Sequence, residues 1–89
     1  MTSDLYANLR EQLNLLKWPD VYLFKFIVPN ELELVARVTA MFDDGTDLVY
    51  RASKNDKYMS ISVKELMLNV DSIIEKYKVA HEIEGLIAL

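Results

Sequence analysis

Cysteine is absent from these 89 residues, which excludes disulfides, thiolate metal ligands and a cysteine nucleophile. That usage fits a reducing compartment, and a cytoplasmic location is expected. Glycine and proline occur twice each, too rarely for a low-complexity or fibrous chain. Histidine occurs once, at His81, so no histidine pair can anchor a zinc site or a relay, and no metal is expected. No apolar run approaches the ~20 residues of a membrane-spanning helix. The opening MTSDLYANLREQ is too polar for a secretory leader.

What is present describes one globular unit over residues 1–89. Just over half of the chain, 52%, is hydrophobic, enough for a single core that buries roughly 60–65% of the unfolded surface. The net charge of −4 argues against nucleic acid as the main partner. The charge is unevenly spread. Between Arg51 and Lys64, four cations (Arg51, Lys54, Lys57, Lys64) face one acid, Asp56, giving +3 and leaving −7 for the rest. Such an island is either a solvated hairpin or an anion-facing surface.

Periodicity divides the chain. Leu5, Leu9, Leu13 and Leu16 recur at helical spacing, with Thr2 or Ser3 available as a cap, and predict a leading helix within residues 1–17. Trp18-Pro19 stops it. DVYLFKFIV (20–28) is apolar on both faces except for Lys25 and predicts a central strand. Asn30 suits the cap of a second helix through Phe42, whose apolar face includes Leu32, Val35, Ala36 and Val38, with Gly45 as its left-handed stop. Residues 46–53 and 57–65 predict a hairpin turning at Asn55-Asp56. A third helix over 70–80, capped by Asn69 or Asp71, precedes a Gly85 turn and a last strand over 86–89. Residues 20–89 thus run β-α-β-β-α-β, the ferredoxin-like, split-βαβ order. This α+β class has a four-stranded antiparallel sheet with two helices on one face, and its right-handed crossovers place strands one and three centrally.

WPDVYLFKFIVPN, RASKNDKYMSISVKELML and YKVAHEIEGLIAL together resemble the YbeD-like family of small bacterial proteins of unknown function. The resemblance covers nearly the whole chain, and its most specific part is the SK-x-x-x-Y-x-S-[IV]-S hairpin. It implies a ferredoxin-like fold of the kind seen in ACT regulatory domains. Those domains bind small molecules, often amino acids, between paired modules and regulate attached enzymes. Where ACT domains usually place a glycine after the first strand, this chain has Val28-Pro29-Asn30-Glu31.

Catalytic constellations are scarce. DDGTD (43–47) lacks the oxygen spacing of a calcium loop, and no glycine-rich phosphate loop or nucleophile elbow occurs. A non-enzymatic module without cofactors is expected. In the hairpin, Tyr58, Ser60, Ser62 and Lys64 fall on one side of an extended chain, and Met59, Ile61 and Val63 on the other. Were Met59, Ile61 and Val63 to face the helices, the open face would carry Tyr58, Ser60 and Ser62 beside Leu23, Lys25 and Ile27. The leading helix is the expected cover for part of it. The candidate contact residues are therefore Lys25, Arg51, Lys54, Lys57, Tyr58 and Ser60, reading a protein partner or a small anionic ligand. The alternative is an RNA-binding domain of RNA-recognition-motif topology, which would need aromatics displayed on strands one and three. A monomer or weak homodimer is expected.

Overall fold

The computed structural model describes residues 5–89. Its elements are α1 (Ala7–Asn14), β1 (Asp20–Pro29), α2 (Leu32–Thr39), β2 (Leu48–Ala52), β3 (Tyr58–Met67), α3 (Val70–His81) and β4 (Ile87–Ala88). The proposed caps Thr2 and Ser3 lie outside the described residues.

The four strands form one antiparallel sheet in the order β2-β3-β1-β4, with the aromatic-rich β1 and the alternating β3 in the middle. β1 and β3 pair over their full length, from Asp20 opposite Met67 to Pro29 opposite Tyr58. Alternation then decides the core. Phe24, Phe26 and Val28 of β1 and Ile61 and Val63 of β3 are wholly buried on one face, together with Val38, Ile73 and Ala80 of the helices. The rings lock this layer: Phe24 lies 5.7 Å from Phe42 and 5.6 Å from Tyr77, centroid to centroid. These are separations at which offset or edge-on pairs add to burial.

α3 matches its sequence signal. The Asn69 side chain accepts the Ser72 N–H at 2.9 Å, and Asp71 and the pair Lys78 and His81 sit at the helix ends that the dipole favours. α2 departs from its signal at both ends. Glu31, not Asn30, occupies the cap position, because Asn30 is held by the hairpin through its N–H on the Lys57 carbonyl and its Nδ2 on the Asp56 carbonyl. The helix closes at Thr39, and Gly45 does not take the left-handed conformation, which Asp56 (φ 59°) and Gly85 (φ 76°) adopt instead.

The leading helix requires two corrections. Of its leucine stripe, Leu13 is buried and Leu9 partly so, but Leu5 and Leu16 are 87% and 58% exposed. Nor does α1 cover the open face of the sheet. It lies along α3, where the Tyr6 hydroxyl meets His81 Nδ1 at 2.7 Å and Arg10 pairs with Asp71. The face opposite the helices therefore has no cover among the described residues.

Candidate functional site

The hairpin is built by its own polar side chains. Asp56 takes the left-handed conformation that a tight turn needs and that aspartate tolerates. Ser53 Oγ accepts the Tyr58 N–H at 3.0 Å and donates to Asn55 Oδ1, which also accepts the Lys57 N–H at 3.2 Å. Asn30 clamps the turn from β1. Ser53 and Asn55 thus hold the loop in one shape and leave Lys54 and Lys57 exposed at its tip.

Behind the tip, the register gathers side chains from three strands onto the open face. Arg51 is opposite Ser60, Ser60 is opposite Ile27, and Lys25 is opposite Ser62 in the adjoining row. Lys25, Arg51, Tyr58 and Ser60 consequently line one shallow depression of about 380 Å³ with Ile27 among them. Four of the six residues singled out in the sequence meet there; Lys54 and Lys57 do not line it. Neither Lys25 nor Arg51 has an acidic partner: among the described residues the ion pairs are Arg10 with Asp71 and Lys76 with Glu65. Two unpaired cations and two hydroxyl groups over apolar ground can hold a carboxylate or phosphate, since charge-assisted bonds to such groups are the strong ones.

A second depression of about 350 Å³ adjoins the first, lined by Leu23, Asp47, Val49, Ser62 and Lys64. Around both, Val21, Leu23, Val49, Leu66 and Ile87 are more than half exposed. Sequence reasoning missed Val49 and Leu66. Period-2 alternation from Arg51 and Lys64 would have placed both on this face. The aromatic residues of β1 point the other way, into the core, and Tyr58 is the one aromatic that β1 and β3 display here.

Other polar groups serve the structure. The Tyr22 and Tyr77 hydroxyls bond at 2.8 Å, and burial, reinforced by that bond and by the Tyr22 charge, pushes the Tyr77 phenol upward. His81 is stacked between Tyr6 and Tyr77. Among the described residues no cluster of three or more His, Asp or Glu side chains could hold a metal, and no helix is long and apolar enough to cross a membrane. Comparison with protein-family models, with curated proteins and with solved structures finds no match.

Proposed function

We propose that this protein is a non-enzymatic regulatory or adaptor module of ferredoxin-like, ACT-like architecture and YbeD-like kind, which holds an anionic group of a ligand or protein partner on the open face of its sheet. The order β2-β3-β1-β4, with α2 between β1 and β2 and α3 between β3 and β4, supports the architecture. The observation that carries the function is the convergence of Lys25, Arg51, Tyr58 and Ser60 on one depression, with neither cation ion-paired among the described residues. A rigid sheet presents these groups without a backbone-ordering cost, which favours binding over a floppy basic tail.

Calorimetric titration with citrate and with a short polyglutamate peptide tests the reading. Lys25→Gln combined with Arg51→Gln should reduce affinity at least about tenfold, the loss of one charge-assisted contact or more. Lys54→Gln combined with Lys57→Gln should change it far less. Equal binding by the first pair and the wild-type chain, or no binding of either probe, would sink the proposal.

A further inference from the structure

The two central strands differ in their patterning. β3 alternates, with Ser60 and Ser62 on the open face against Ile61 and Val63 on the helical one. β1 does not: Val21, Leu23 and Ile27 stand on the open face behind Phe24, Phe26 and Val28, and Lys25 is the one interruption. An apolar run of this kind belongs to strands covered on both faces. α2 and α3 cover one face and α1 lies along α3, so the second cover is missing among the described residues.

The open face specifies the charge of that cover. In three successive rows of the register it carries one cation each: Lys64 in the row of Leu23, Lys25 in that of Ser62, Arg51 in that of Ser60. None of the three is ion-paired among the described residues. Asp47 is the one acid that lines either depression. The larger groove between α2 and β2, about 930 Å³, is rimmed by Asp43, Asp44 and Asp47 instead, and repels an anionic chain.

The spacing specifies its form. Rows on one face of a strand follow at about 6.8 Å, and a helix that repeats a residue at every fourth position advances about 6.0 Å per repeat. Three strand spacings, about 14 Å, leave room for one helix of about 10–12 Å diameter.

We infer that the open face docks an acidic amphipathic helix of another protein. A carboxylate at every fourth position meets Lys64, Lys25 and Arg51 in turn, and apolar side chains beside them cover Leu23, Val49 and Leu66. The inference rests on the anion site and extends it across both depressions. The docked helix completes a third layer, so that helices cover both faces of the sheet. A second copy's open face would instead set the same three cations against themselves. A phospholipid surface needs apolar side chains that project, whereas Leu23 and Val49 line a hollow.

Fluorescence anisotropy of the full chain with a labelled synthetic peptide of about 20 residues, roughly 30 Å as a helix, tests it. The peptide carries Glu at every fourth position and Leu one position before each, with Ala and Gln elsewhere. Its control has the same composition, scrambled so that no helical face holds both stripes. The striped peptide should bind at least about tenfold more tightly than the control and gain helical circular dichroism on binding. Leu23→Ser with Leu66→Ser should abolish that preference while citrate and polyglutamate still bind. Asp47→Asn should tighten the striped peptide, a gain that loss of folding cannot produce. Equal binding of the two peptides, with citrate still held, would overturn the helix and leave the anion site standing. Loss of citrate and polyglutamate as well would remove both. Phosphatidylglycerol vesicles or an oligouridylate held where the peptide is not would assign the face to a membrane or to RNA, and would equally overturn the inference.

Discussion

At the scale of single residues, the buried phenol pair offers the sharpest test of the core. Tyr77 is 6% exposed, and its hydroxyl is paired with that of Tyr22. Tyr22→Phe removes the partner and leaves a buried hydroxyl unsatisfied, a cost of about 1–3 kcal/mol by urea denaturation, whereas the Tyr22→Phe/Tyr77→Phe double variant should recover most of it. A pH effect follows from the upward push on Tyr77. The unfolded phenol loses its proton near pH 10 and the folded one later, so above about pH 10 the unfolded state binds fewer protons and stability falls as pH rises. Below that pH the contribution is fully present. Tyr77→Phe should flatten the alkaline limb of the stability curve relative to the wild-type chain; parallel limbs would show that other groups govern it. Single residues also explain where sequence signals misled. Asn30 carries every local mark of a helix cap, yet the carbonyls of Asp56 and Lys57, 26 and 27 positions away, take its donors. No local rule sees a partner at that distance.

Elements were legible in proportion to their length. β1, a ten-residue apolar run, β3, ten residues of alternation, and α3, twelve residues of helical period, match their patterns within two residues at each end. α1 spans eight residues, barely two turns, so a four-leucine stripe is longer than the helix that should carry it. Leu5 precedes the helix and Leu16 follows it, and both face solvent. A helix this short is marginal alone and stands by its packing. Here Leu13 is buried, the Trp18 indole N–H donates to the Leu13 carbonyl at 2.9 Å, and Tyr6 and Arg10 tie α1 to α3. Leu13→Ala should therefore lower unfolding free energy by about 2–5 kcal/mol. Leu5→Ala and Leu16→Ala should each stay within about 0.5 kcal/mol. Urea titrations that ranked the three alike would restore the full stripe. The docking side of α1 was not legible, because a leucine stripe states that a helix needs an apolar partner and not which layer supplies it.

Across the whole molecule, the sheet separates two environments that the sequence interleaves residue by residue. On β1, apolar on both faces except for Lys25, placing the aromatics inward assigned the Phe24 face to the core and the Lys25 face to the outside, and the cross-strand register then converted distant letters into one depression. That register was invisible in one dimension, which is why Lys54 and Lys57 looked more central than they are, whereas Val49 and Leu66 needed only the alternation carried on from Arg51 and Lys64. The outcome is a face on which Leu23 and Leu66 are 54% and 62% exposed beside Lys25, Arg51 and Lys64. Monomeric proteins seldom leave large contiguous apolar surface bare unless something binds it. An apolar anion such as anilinonaphthalenesulfonate should then bind the native protein, its rings on the leucines and its sulfonate near the cations. Leu23→Ser with Leu66→Ser should cut the fluorescence while each exposed site changes stability by about 0.5 kcal/mol or less. Lys25→Gln with Arg51→Gln should weaken binding chiefly at low salt, where exposed charges are least screened. Fluorescence unchanged by both pairs would move the sticky surface elsewhere, with the groove between α2 and β2 as the next place to substitute.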